Sequence, residues 1–138
     1  HFAGRLPYDE MLAVLQISSA HVYFTYPFVL SWSFLEAMAA GCLVIASDTP
    51  PVREVLDPSK GVLVPFLDYD KLAAATVDAL ARPQRYDKQR IQARKFVLEH
   101  FDNARVCMPK LREFLGFKAS KRRAKDEDDT ALVASEET

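Results

Sequence analysis

Apolar residues along this chain follow two alternating rhythms, short uninterrupted runs and stripes spaced three and four apart. The second spacing puts side chains on one face of a helix, and the first, when β-branched or aromatic, marks a strand. Tyr8, Met11, Leu12 and Leu15 recur at helical spacing behind Pro7. Asp9 and Glu10 fall in the first turn of that helix, where its dipole favours acids. "AHVYFTY", Ala20 to Tyr26, predicts a strand, and Pro27 to Ser31 a loop. Trp32 to Ala40 reads as a helix with almost no polar face, hence a buried one. Gly41 supplies the left-handed residue that ends it. "CLVIAS", Cys42 to Ser47, is the continuous apolar strand of a parallel sheet covered on both faces.

The rhythm continues with a loop and short helix in "DTPPVREVL", where Pro51 suits the first turn. "GVLVPF", Gly61 to Phe66, is a further strand. Asp70 to Ala81 is amphipathic, with Leu72, Ala73, Thr76, Val77 and Leu80 as its stripe. Arg82-Pro83 breaks it, and two helices follow, Arg85 to Phe101 and Ala104 to Leu115, with Asp102-Asn103 as the turn. "HFAGRL", His1 to Leu6, reads as the end of a strand, so the chain looks like one that begins within a domain. The order is β-α-β-α-β-α-β-α with terminal helices. Such alternation predicts an α/β fold, a Rossmann-like parallel sheet with helices on both faces. The domain is expected over 1–116. Residues 117–138 carry many charges and almost no core residues, which predicts a disordered tail.

Composition changes this picture little. The 138 residues suffice for one modest core, and 49% apolar with 27% charged is ordinary for a globular chain. A net charge of −1 gives no global field to recruit nucleic acid, so no nucleic-acid partner is expected. No apolar run reaches the roughly 20 residues of a membrane span. With no visible signal peptide and two cysteines in unlike contexts, Cys42 and Cys107, the expectation is a cytoplasmic chain with reduced thiols. No metal motif is present, and no metal is expected. His1, His21 and His100 lack any acid or serine arrangement for catalysis. "KASKRRAKDEDD" pairs opposite charge blocks that nearly cancel.

Ligands of such sheets bind beyond the carboxyl ends of the strands. Three loops are expected there, Gly4 to Pro7, Pro27 to Ser33 and Ser47 to Pro51. The backbone N–H groups near Ser31 to Ser33 would open the helix at 32–40 and form an anion site suited to a diphosphate. Neither G-x-G-x-x-G nor a Walker A loop occurs. Glu36 is the acid of that apolar helix, and two readings compete for it. "SFLE", Ser33 to Glu36, fits the capping box S-x-x-E, in which Ser33 and Glu36 satisfy each other's backbone. Alternatively, Glu36 accepts hydrogen bonds from a pair of ligand hydroxyls, a task for which a carboxylate has two oxygens. Tyr23, Phe24, Tyr26, Phe28 and Trp32 are either core or a stacking surface for a base or sugar. Arg85, Lys88, Arg90, Arg94 and Lys95 give the following helix a basic face.

"LEAMAAGCLVIASDTPPVREVL" closely resembles the signature of the family 4, or group 1, glycosyltransferases, roughly E-G-F-G-x-x-x-L-E-A-M-A-x-G-x-P-V-[IV]-A-[ST]-x-x-G-G-x-x-E. The resemblance is specific over Leu35 to Glu54 and looser from His1 to Ala81. It implies the C-terminal, donor-binding half of a two-domain GT-B fold, with its first portion and the whole N-terminal domain absent from this chain. It implies a retaining, metal-independent transfer from a nucleotide-sugar, which is the donor substrate and leaves no other cofactor to expect. Glu36 matches the second Glu of the E-x7-E motif, which binds the ribose hydroxyls. Leu30, Ser31, Trp32 and Ser33 match the loop that meets the diphosphate and sugar. Glu54 matches the Glu after the Gly-Gly pair, although a local role in the first turn of a helix also fits it. The acceptor, saccharide or other, is not legible. Peripheral membrane contact is a habit of related enzymes that the basic helix would serve.

Three departures accompany the resemblance. Phe28 stands where the family has its first Glu, eight residues before Glu36. Pro50-Pro51 replace Gly-Gly, which stiffens the loop and removes two donors. The cations that neutralise the donor diphosphate would precede His1, leaving Arg5 as a cleft cation or a solvated loop residue. Three functional classes therefore stay open at this point: a glycosyltransferase whose donor domain this is, a non-catalytic module binding a nucleotide or protein partner, and a purely structural α/β domain.

Overall fold

The computed structural model describes residues 2–26 and 28–117. His1, Pro27 and the tail at 118–138 lie outside the described residues. The chain divides into two compact units, His1–Phe101 and Asp102–Thr138.

The first unit is built on a three-stranded parallel sheet in the order β1-β2-β3, with β1 Ala20–Tyr23, β2 Leu43–Asp48 and β3 Val62–Pro65. Ala20 pairs with Leu43 and Tyr23 with Ala46, while Ile45 pairs with Val62 and Asp48 with Pro65. The continuous apolar run of β2 has its physical reason here. Leu43 through Ser47 are 0% exposed, because both faces of the central strand are covered. Val44 and Ala46 join a cluster with Leu15 of α1 (Tyr8–Ile17), Phe34, Ala37 and Met38 of α2 (Trp32–Ala40), Val52 of α3 (Pro50–Arg53) and Ala93 and Val97 of α5 (Asp87–His100). Leu43 and Ile45 face the other way, into a cluster with Val64, Tyr86 and Ala79 of α4 (Tyr69–Ala81). The molecule is thus the α/β, Rossmann-like sheet with helices on both faces that the apolar rhythm predicts.

Several local expectations are corrected. Residues 2–7 form no strand, since Gly4 takes a left-handed φ of 68° that breaks extension. Strand β1 stops at Tyr23 rather than Tyr26. Beyond it the Ser47 hydroxyl, rather than a backbone N–H, reaches the carbonyl of Thr25 at 3.4 Å. Helix α2 is not buried all round: Phe34, Ala37 and Met38 are, but Trp32 is 82% exposed. The stripe of α4 is rotated from its expected position, with Leu72, Ala75 and Ala79 against the sheet and Val77 and Leu80 outward. Small Ala75 and Ala79 let the helix approach the strands, and Asp78 is tied to the hydroxyl of Tyr86 and to Arg82. The helix expected from Arg85 is instead a short 3-10 turn, Pro83–Tyr86, leading into α5.

The second unit begins with Asp102, whose side chain accepts from the N–H of Arg105. A single π-turn over Asn103–Cys107 then replaces the expected start of an α-helix, and α6 covers Met108–Phe114. Pro109 lacks an N–H, and Asp102's carbonyl accepts from both Val106 and Cys107, which widens this turn.

Gly61 sits where β3 begins beneath the sheet's own backbone. A Cβ there would lie 2.7 Å from the carbonyl oxygen of Val44 and 2.8 Å from Cδ1 of Leu56. The neighbour is partly backbone and cannot step aside, so Gly61→Ala should destabilise the domain by about 1–3 kcal/mol in urea unfolding, with the slope unchanged. Unfolding at the wild-type midpoint would show that the β2–β3 approach is looser than described.

Candidate functional site

The site grows from the carboxyl end of β1. Tyr23, the last residue of the strand, is buried, and its ring meets Phe34 of α2 edge-on with centroids 5.0 Å apart. Its hydroxyl accepts a hydrogen bond of 3.0 Å from the N–H of Ser31. One phenol therefore holds both the entry to α2 and its first buried residue. Ser31, with extended backbone, is the N-cap: its Oγ accepts from the N–H of Ser33 at 3.3 Å and lies 3.0 Å from Ser33 Oγ. Phe34's N–H donates to the carbonyl of Ser31 at 3.1 Å.

This arrangement overturns the capping-box reading of Glu36. The N-cap is Ser31, two residues before Ser33, so Glu36 lies beyond the first turn, and the N–H it would have satisfied already donates to Ser31 Oγ. The anion-site expectation is also narrowed. Of the three N–H groups at Ser31 to Ser33, the first and third are engaged, and that of Trp32 has no partner among the described residues.

Glu36 instead faces Tyr8 at the start of α1. The Glu36 carboxylate, an acceptor and a negative charge near the Tyr8 hydroxyl, raises the tyrosine's pKa above its ordinary value of 10.0. Tyr8 in turn lines an open cavity of about 730 Å³ with Gly4, Arg5, Leu6, Pro7 and Met11. Glu36 thus neighbours the first predicted loop through Tyr8, a member of the apolar stripe of α1. Its hydroxyl was the available signal, since a Tyr at the first turn behind a cleft loop carries a polar tip. Arg5 lies in that cavity wall and makes no ion pair with any described residue.

The remaining candidates separate. Leu30 is half-buried and packs on the core, so its side chain serves the fold while its backbone stays in the loop. Phe28 and Trp32 are 78% and 82% exposed, and neither belongs to the core. Glu54 is exposed at the C-terminal end of α3 rather than in a first turn, which corrects the local role expected of it. In the third loop, Arg53 holds Asp48 through two hydrogen bonds of 2.5 and 2.7 Å, and that guanidinium lowers the carboxyl's pKa. Pro50 and Pro51 form the first turn of α3 behind Thr49. The basic helix loses one member from its surface, because Arg90 turns inward and donates to the carbonyl of Ser19 at 2.6 Å. Burial pushes the Cys42 thiol up to about 11, so it is an inert core group. Among the described residues no group of three His, Cys, Asp or Glu converges on a metal position. No described helix is long and apolar enough to cross a membrane.

A parallel three-stranded sheet with helices on both faces defines a Rossmann-like α/β domain. Residues 1–96 match the family described as glycosyl transferases group 1, and the chain belongs to that family. Among solved structures it is similar to a sucrose-phosphate synthase from Thermosynechococcus elongatus, at 26% identity and a TM-score of 0.74. The match covers 83% of this chain and 30% of that one, so the chain spans under a third of the synthase's length. No curated protein matches.

The Tyr8–Glu36 contact has a direct spectroscopic reading. Tyr8 should titrate above 10 in an NMR pH series of the ring resonances, and Glu36→Gln should bring it back towards 10. A Tyr8 titration that Glu36→Gln leaves unmoved would show that the two side chains do not meet.

Proposed function

We propose that this chain is the donor-binding part of a glycosyltransferase that moves a sugar, with retention, from a nucleoside diphosphate sugar to an acceptor. The carrying observation is Glu36: a half-buried carboxylate on an apolar helix, released from capping and turned to the Tyr8 side beside the Gly4–Met11 cavity. A carboxylate so held accepts from two vicinal hydroxyls at once, which is the geometry of a ribose. The Tyr8 hydroxyl near it offers the ligand a further donor and acceptor.

The diphosphate would meet the start of α2. The N–H of Trp32, without a partner among the described residues, the hydroxyls of Ser31 and Ser33 and the positive end of the helix dipole all favour negative charge there. These groups act most strongly on the charge that grows as the nucleoside diphosphate leaves, so they assist departure as well as binding. Leu30 contributes backbone, and Arg5 in the cavity wall supplies a cation towards the phosphates. The nucleotide-sugar is the only small molecule this scheme needs. An N-terminal domain would carry the reacting end of the acceptor and close over the donor, because an open edge does not exclude water from the reacting sugar.

A second reading has its own support. Phe28 is exposed where the family places an acid, and two prolines stand where it has two glycines. A non-catalytic module that retains nucleotide binding would carry these changes. Both readings predict nucleotide binding, and the structural-domain reading does not.

Calorimetric titration with UDP, GDP and ADP tests this. At least one should bind, and Glu36→Gln should weaken that binding by about 10–100-fold, the loss of charge-assisted hydrogen bonds worth about 1.5–3 kcal/mol. Thermal stability should change little, because Glu36 caps nothing. Absence of binding by all three at millimolar concentration, or equal affinity of Glu36→Gln, would overturn the assignment.

A further inference from the structure

The five aromatics clustered in the sequence do not share one fate. Tyr23 enters the core, but Phe24 crosses to the opposite face of the sheet and joins three rings from elsewhere in the chain. Phe24 stacks on Phe66, just past β3, with centroids 5.9 Å apart and planes 28° apart. Tyr69, the first residue of α4, leans on Phe24 at 5.9 Å and 51°. Tyr26 meets Phe66 edge-on at 5.5 Å and 65°. Phe24 and Phe66 are half-buried and form a floor, while Tyr26 and Tyr69 are 78% and 63% exposed.

This cluster is built, not left over. Leu67, between Phe66 and Tyr69, holds a left-handed φ of 66°, a conformation a branched side chain adopts only under constraint. That turn, closed by the Tyr69 N–H donating to the Leu67 carbonyl at 3.1 Å, brings Phe66 and Tyr69 to the same rings. The cluster stands at the carboxyl edge of the sheet, on the face covered by α4, whereas Glu36 and Tyr8 lie on helices of the other face. It is therefore separate from the nucleotide groups yet shares their edge.

We propose that Tyr26, Phe66 and Tyr69 form a saccharide-binding subsite. The C–H face of a sugar ring is apolar and slightly positive, and it stacks on the negative face of an aromatic ring. The tilted walls keep four rings from collapsing into a closed stack. The exposed rings carry phenolic hydroxyls, and the Asp70 carboxylate beside Tyr69 is exposed and in no ion pair with a described residue. Hydroxyl donors and acceptors around an apolar floor suit a polyhydroxylated ring better than a purely apolar surface. Naming a saccharide rests on reading the chain as part of a glycosyltransferase, and the subsite would hold acceptor sugar away from the reacting bond, where remote contacts contribute to transfer.

The test uses the whole chain and four probes: soluble oligosaccharides of glucose in α-1,4 and β-1,4 linkage, of mannose and of galactose. NMR titration should shift the ring and amide signals of Tyr26, Phe66 and Tyr69 with at least one of them. Tyr26→Ala and Tyr69→Ala, both at exposed positions, should each weaken that binding by roughly 2- to 12-fold. Their affinity for the nucleotide that binds the wild type should stay unchanged. No shift at these residues with any of the four, or unchanged saccharide affinity in both variants, overturns the subsite. If nucleotide still binds, the donor assignment survives that failure. If nucleotide fails and saccharide binds, the reverse holds.

Discussion

The hydroxyl of Tyr23 is the point on which the rest of the candidate site depends. Strand β1 ends at that residue, its ring is buried edge-on to Phe34, and its oxygen receives the N–H of Ser31. A buried phenol needs a partner for its oxygen, and the backbone supplies one only where the chain turns into α2. The start of the helix is thereby fixed against the sheet. Ser31 becomes the cap, and Glu36 is carried past the first turn to face Tyr8.

This explains which parts of the molecule were legible in the sequence. Strand β2 could be read because its burial is dictated by composition alone: an uninterrupted apolar run fits only the middle of a covered parallel sheet. Gly41 could be read for the same kind of reason, and it does take a left-handed φ of 82°. The cap could not, because Ser31 and Ser33 are both good caps and only a tertiary contact from Tyr23 chooses between them. The stripe of α4 was misjudged because Val77 and Leu80 are apolar yet lie outward. Close approach by Ala75 and Ala79 outweighed hydrophobic size in orienting that helix.

The site residues divide along the same line. Glu36 stood out as an acid in an apolar helix, and it does sit at the carboxyl-edge helix. Tyr8 did not stand out, since a tyrosine in an amphipathic stripe has an ordinary packing role. Its function here appears only when α1 is packed beside α2. Phe28 was legible as a departure from the family, and the structure gives that departure a physical form. An apolar ring stands exposed where an acid would contact a sugar. In the proposed scheme the change removes charge from the sugar end of the site, while the end assigned to the nucleotide keeps its carboxylate, its capped helix and its cation.

The central claim is that the Glu36–Tyr8 side of the carboxyl edge is where a nucleoside diphosphate binds. Amide chemical-shift mapping with the tightest-binding of UDP, GDP and ADP tests it most directly. The account predicts saturable shifts at Arg5, Tyr8, Trp32, Ser33 and Glu36, with Ser59 and Gln92 at the far end of the sheet unmoved. Shifts centred on Ser59 and Gln92, or spread without saturation over the whole surface, would contradict it.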